Sequence, residues 1–170
     1  MSTFYKPKCK KMPKSFEILT AKQIFSVIQE EGYFPRIDDD RDVSFKIKGT
    51  TFIFGVCANG FVYGRIYFNL RKRDKWPAIM AAQHVELSYI AIKTLVVTEN
   101  ESLIFSVESF CNTVDSFRLF FPRALSILSD SVGTFSEKFR EYEADEECRL
   151  RECSDAILMK KKLSENTTLS

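Results

Sequence analysis

The segment FGVCANGFVYGRIYFNL, Phe54 to Leu70, constrains the fold more than any other stretch of the chain. Two runs of β-branched and aromatic residues flank Asn59-Gly60. That pair favours a tight turn, because both central positions of a type I′ turn need positive φ. The segment therefore predicts a β-hairpin. If the turn sets the register, Ala58 stands opposite Phe61, Val56 opposite Tyr63 and Phe54 opposite Arg65. Alternation then sorts the side chains into two faces. Phe52, Phe54, Val56, Phe61, Tyr63, Arg65 and Tyr67 share one; Ile53, Gly55, Cys57, Val62, Gly64, Ile66 and Phe68 share the other.

Both faces carry apolar or aromatic side chains, which a hairpin covered on one side does not need. The second face is smoother and more aliphatic. Gly55 falls opposite Gly64 there, where a helix could approach closely, so the helices of the domain are expected on that side. The first face is aromatic with polar tips. It is expected to receive the terminal helix, a second subunit or a peptide, since tyrosine and arginine combine apolar bodies with hydrogen-bonding ends. Phe52, Phe54, Phe61, Tyr63, Arg65 and Tyr67 are thus the candidate partner-binding residues. The bland alternative for the same residues is a sandwich interior or a partly wet sheet face.

The rest of the chain builds a domain around this hairpin. Thr20 and Gln23 have capping-box spacing, and Ile24, Phe25, Val27 and Ile28 give an apolar stripe that stops at Gly32. This predicts a helix over 21–31, with an earlier start near Ser15 as an option. Tyr33 to Ile37 reads as a short edge strand, because Pro35 has no N–H to give a central ladder. After the charged turn 38–42, Val43, Phe45 and Ile47 alternate with polar residues as in a half-buried strand, and Gly49 helps it turn into 51–57. Asp74 and Pro77 mark the start of a second helix. Ile90 to Thr98 and Leu103 to Val107 read as strands joined at Asn100-Glu101. Asn112 is a candidate cap for a long last helix that Pro122 is expected to break or kink.

The fold class is therefore α+β, one antiparallel-rich sheet with helices in the order α-β-β-β-α-β-β-α. The domain is expected over residues 15–143. A basic arm, 1–14, precedes it with Lys6, Lys8, Lys10, Lys11 and Lys14, and a charged, partly disordered tail, 144–170, follows. The net charge of +2 says little about nucleic acid; the arm could touch phosphate or an acidic partner, but such a run reads first as a solvated terminus, so nucleic acid is not an expected partner. No apolar run reaches membrane length, and no h-region follows the N-terminal lysines. The expected location is the cytoplasm. Five cysteines at irregular spacing argue against a disulfide framework.

Little here points to chemistry. His84 is the single histidine and lies in a predicted helix; its pairing with Cys57 would be the one Cys–His combination between folded elements. Asp38, Asp39, Asp40 and Asp42 do not follow an EF-hand ladder. Gly60 and Gly64 lack the lysine and the strand–turn–helix setting of a phosphate loop. The basic run Arg71, Lys72, Arg73 and Lys75 fits an anion, an acidic partner or water. No catalytic residue, metal site or cofactor is expected.

The element order resembles the YbjN-like family and the related type III secretion chaperone-like fold. The resemblance spans roughly Phe16 to Phe139. It rests on Gly32-Tyr33-Phe34 after the first helix, VSFKIKGTTFIFGV (43–56), FVYGRIYF (61–68), AIMAAQHVELSYIAIKTLVV (78–97) and LIFSVESF (103–110). It implies a domain often paired as a homodimer, holding partner segments on a surface that includes the sheet. The expected function is a non-enzymatic protein-interaction module, chaperone-like or regulatory. The alternative is a small-molecule-binding or enzymatic domain with a pocket between the sheet and the terminal helix.

Overall fold

The computed structural model describes residues 19–57, 60–71, 74–97 and 101–167. Along the chain run α1 (Ala21–Glu30), β1 (Arg36–Ile37), β2 (Val43–Ile47), β3 (Thr50–Val56), β4 (Phe61–Asn69), α2 (Lys75–Ser88), β5 (Ile92–Val97), β6 (Ser102–Phe110) and α3 (Val114–Thr167). Among the described residues the strands form one antiparallel sheet in the order β1-β2-β3-β4-β6-β5. With the two-residue edge strand β1 set apart, this is the α-β-β-β-α-β-β-α order expected from the sequence.

Local chemistry accounts for most of the boundaries. The Gln23 N–H donates to Thr20 Oγ1 at 3.3 Å, and the Thr20 N–H donates to Gln23 Oε1 at 2.8 Å, so the capping box forms and α1 starts at Ala21. Lys48 and Gly49 adopt φ values of +47° and +86°. Two successive left-handed residues make the type I′ reversal, and Ile47 stands opposite Thr50 across it.

The β3–β4 hairpin differs from expectation by one residue. Phe54 stands opposite Gly64, and Val56 opposite Val62. The Cys57 N–H donates to the Phe61 carbonyl at 2.7 Å, and the Gly60 N–H to the Cys57 carbonyl at 2.9 Å. The reversal thus uses residues 58–60, ending in Gly60 at φ +81°, as three-residue hairpin loops do. Ala58 and Asn59 lie outside the described residues. The physical reason is on the strands. This register sends Phe52, Phe54, Val62 and Ile66 to one side together, where all four are buried. The expected register would have split them between two faces.

The three helices pack on that side and close one continuous core. The Phe54 ring is at its centre, with ring centroids 6.0 Å from Phe45, 6.1 Å from Phe117 and 5.1 Å from Phe121. Gly64 makes the room. A Cβ there would sit 2.7 Å from Phe54 Cε1 and 3.2 Å from Leu128 Cδ1 of α3. The close approach expected at the glycine pair therefore belongs to Gly64 alone, since Gly55 faces the other way.

Two helix signals resolve differently from expectation. The cap of α3 is Thr113 rather than Asn112: the Ser116 N–H donates to Thr113 Oγ1 at 3.1 Å, and the Thr113 N–H to Ser116 Oγ at 3.1 Å. Pro122 does not break the helix. Its ring faces solvent while Phe117, Phe121, Ala124 and Leu128 are buried around it. Burial of those side chains, about 1.5–3 kcal/mol for each large one, outweighs the ~3 kcal/mol a mid-helix proline costs. Beyond the sheet, Trp76 of α2 holds α3 through an edge contact with Tyr142 (6.2 Å) and the Arg149 guanidinium over its ring (5.7 Å). The helix continues to Thr167 across the charged segment set apart in the sequence as a tail. Residues 168–170 and the basic arm, 1–14, lie outside the described residues.

Candidate functional site

Every described helix lies on the core side, so among the described residues no helix covers the opposite face of the sheet, the open face. β4 sends Phe61, Tyr63, Arg65 and Tyr67 there; β6 adds Ile104, Ser106, Glu108 and Phe110, and β5 adds Lys93 and Leu95. Phe61, Phe110 and Leu95 are 42%, 48% and 51% exposed. Two of the six expected partner-binding residues are therefore corrected. Phe52 and Phe54 lie under the helices, 2% and 0% exposed, because the one-residue register difference puts them opposite to the β4 aromatics. Phe61, Tyr63, Arg65 and Tyr67 share the open face.

Tyr63 is held there without an overlying helix. Its ring lies across Gly55, where any Cβ would collide with the ring and with the Asp42 carboxylate. The Tyr63 hydroxyl donates to Asp42 Oδ1 at 2.6 Å. From the other side, the Arg65 guanidinium sits 4.0 Å from the ring centroid, within cation–π range. Asp42 reaches this position from the turn before β2, where Asp38 Oδ1 accepts the Asp42 N–H at 2.8 Å. Burial and the Asp42 carboxylate push the Tyr63 phenol far above its ordinary value, so it is a neutral donor throughout the physiological range.

The network continues across β4, β6 and β5. Arg65 Nε donates to Ser106 Oγ at 3.3 Å, and its guanidinium is 3.9 Å from Glu108 Oε1. Lys93 Nζ donates to Glu108 Oε2 at 2.8 Å. Burial raises the Glu108 carboxyl, but the Lys93 hydrogen bond and charge, with Ser106 and Arg65, outweigh it and hold the group below its ordinary value. The result is a charged and aromatic strip, Asp42–Tyr63–Arg65–Glu108–Lys93, flanked by the Phe61–Phe110 edge pair (5.5 Å between centroids).

Asp42, Ser106, Glu108 and Lys93 are the members that sequence reasoning missed. Each local strand was legible, but the adjacency of β4 and β6 is non-local and has no signature in either segment. Within the strip the phenol is locked to a carboxylate and both cations are paired with Glu108. Cys57 and His84 are not brought together. β3 points Cys57 to the open side, while α2 packs on the other. Cys57, Cys111 and Cys148 form no disulfide. Among the described residues no group of three or more His, Cys, Asp or Glu side chains is arranged to hold a metal, and no helix is long and apolar enough to cross a membrane. The space between the sheet edge and α3 is a groove of about 320 Å³.

No family model matches the chain, and no curated protein matches it. Among solved structures, the chain is similar to the crystal structure of YbjN from E. coli, a proposed transcription regulator, with a TM-score of 0.58 and 10% sequence identity. The match covers 69% of this chain and 91% of that one. At this identity the likeness is one of fold.

Proposed function

We propose that the protein is a non-enzymatic interaction module, chaperone-like or regulatory, that works in the cytoplasm and seats a second copy of itself or an extended protein segment on the open sheet face. One observation carries this reading: the described helices all cover one face, and on the other the exposed rings of Phe61 and Phe110 flank a fixed polar strip built on Tyr63 and Arg65, with Tyr67 beside it. Apolar burial on Phe61, Tyr67 and Ile104 supplies affinity, and the Arg65–Glu108–Lys93 strip sets orientation. The similarity of fold to YbjN, and the resemblance of the element order to secretion chaperones, agree with a binding role.

The test is the molar mass by size-exclusion chromatography with light scattering across concentration, together with binding of a permanently unfolded probe, reduced and carboxymethylated α-lactalbumin. The wild type is expected to dimerise or to bind the probe. A Phe61→Glu/Tyr67→Glu double variant, shown by circular dichroism to be folded, is expected to lose whichever is observed. Assembly and probe binding that are absent in the wild type, or unchanged in the variant, would remove the open face from the account.

A further inference from the structure

The two long edges of β5 and β6 are finished differently. β5 begins at Ile92, opposite Val107, whereas β6 runs on to Phe110. On β5, the Thr94 N–H that faces off the sheet is taken by Glu86 Oε1 of α2 at 2.6 Å, so that edge is covered at its middle. Among the described residues, the overhang of β6 has no such cover. The Cys111 N–H donates to the Gly60 carbonyl, which fixes the ladder phase against β4. In an antiparallel pair this phase turns the backbone N–H and C=O of Glu108 and Phe110 away from β4, toward the missing continuation of β5.

Below the overhang lies the groove of about 320 Å³ between β6 and α3. Its floor and far wall include Val107, Ser109, Leu119, Phe120, Arg123 and Ile127. Leu119 is 68% exposed although it stands beside the core helix face. The charge balance is one-sided. Glu108 is engaged by Lys93 and Arg65, while Arg123 makes no ion pair among the described residues.

We propose that this groove binds a short extended peptide segment carrying an acidic side chain. The segment adds to the β6 overhang as the strand that β5 does not supply, donating to and accepting from the backbone of Glu108 and Phe110. One apolar side chain enters the slot beside Leu119 and Ile127. The acidic side chain, two residues along on the same face or at the segment's end, meets Arg123. This is a lateral site, distinct from the open face, and does not depend on that face being used.

The probes are the blocked peptide acetyl-Thr-Val-Thr-Asp-Thr-amide, whose valine and aspartate share one strand face, and its counterpart with lysine in place of aspartate, titrated into the full chain with amide chemical shifts followed. The acidic peptide is expected to shift the Glu108 and Phe110 amides and to bind more tightly than the lysine peptide. Arg123→Glu is expected to reverse that preference, a change of roughly three- to tenfold in relative affinity, as one exposed ion pair allows. Leu119→Gln is expected to weaken both peptides. The proposal is overturned by no shift at these amides, by a preference that Arg123→Glu leaves unaltered, by shifts confined to the open face, or by the same amides moving with octanoate but not with peptide. Amides that move on dilution alone would assign the groove to a second copy of the chain, and also overturn it.

Discussion

Phe54 and Tyr63 stand on adjacent strands, and both are nearly closed to solvent, at 0% and 6% exposure. They are closed by different means. Phe54 is enclosed by Phe45, Phe117, Phe120 and Phe121, with α3 laid over it. Tyr63 has no helix above it; Gly55, Asp42 and Arg65 close around it. The core face is held by dispersion and the hydrophobic effect, which respond to volume. The open face is held by hydrogen bonds and charge, which respond to pH and salt. A surface held in the second way keeps its shape while remaining available to a partner.

The sharpest way to break this comparison is to cut one aromatic from each face. Phe54→Ala removes the ring at the centre of the core and is expected to cost about 3–5 kcal/mol, as large-to-small core changes do. Phe61→Ala removes a ring that is 42% exposed and touches Phe110 at the end of the β4–β6 ladder. Its expected cost is about 1–2 kcal/mol, from the partial burial of the ring and its pair with Phe110, clearly below that of Phe54→Ala. Urea unfolding of the two variants measures both. Equal losses would mean that the open face is also a closed core, covered by something the two-face description lacks.

The same contrast explains what could be read from the sequence. The Thr20–Gln23 cap, the alternation of β2 and the edge placement of β1 are local, and each was legible from neighbouring residues. The register of β3 against β4 was not. Asn59-Gly60 is a strong type I′ signal, yet a three-residue loop wins because it gathers Phe52, Phe54, Val62 and Ile66 on one side. The type I′ turn falls instead at Lys48-Gly49, where both φ values are positive. That single residue of difference decides which aromatics belong to the candidate site: it removes Phe52 and Phe54 and leaves Phe61, Tyr63, Arg65 and Tyr67. The polar half of the site was hidden for another reason. Asp42, Ser106, Glu108 and Lys93 come from a turn and two strands distant in sequence, and only the β4–β6–β5 order unites them.

An intermediate effect is expected at Tyr63, where the two kinds of closure can be separated by one atom. Tyr63→Phe keeps the ring over Gly55 and removes the hydrogen bond to Asp42. The expected loss at neutral pH is about 1.5–3 kcal/mol, the range for a bond to a charged acceptor. The pH profile identifies the cause. The folded protein holds the Tyr63 proton well above the pH at which an unfolded tyrosine loses it. The stabilisation is complete below the ordinary tyrosine value of about 10 and declines as pH rises past it, since the unfolded chain then binds fewer protons. The wild-type advantage over Tyr63→Phe should therefore narrow above pH ~10. Curves that stay parallel there would detach the phenol from Asp42.

The smallest effect expected is at Glu108, and it tests whether the strip acts as a unit. The sign is opposite to that of Tyr63. The net effect of Lys93, Ser106 and Arg65 holds the folded carboxyl below its ordinary value, so its contribution is present above the unfolded value and is lost as pH falls through the folded one. Glu108→Gln should flatten the acid side of the stability profile, below the ordinary glutamate value of about 4.3. At neutral pH the cost should stay under about 1 kcal/mol, because Lys93 is largely solvent-exposed and such pairs are screened. Added salt should reduce the wild-type advantage further. Arg65 would lose one anion yet keep the Tyr63 ring and Ser106, so the alkaline decline assigned to Tyr63 should survive in Glu108→Gln. If both limbs flatten together, the aromatic and ionic halves of the open face are coupled through Arg65. A partner that displaces Lys93 would then also loosen Tyr63.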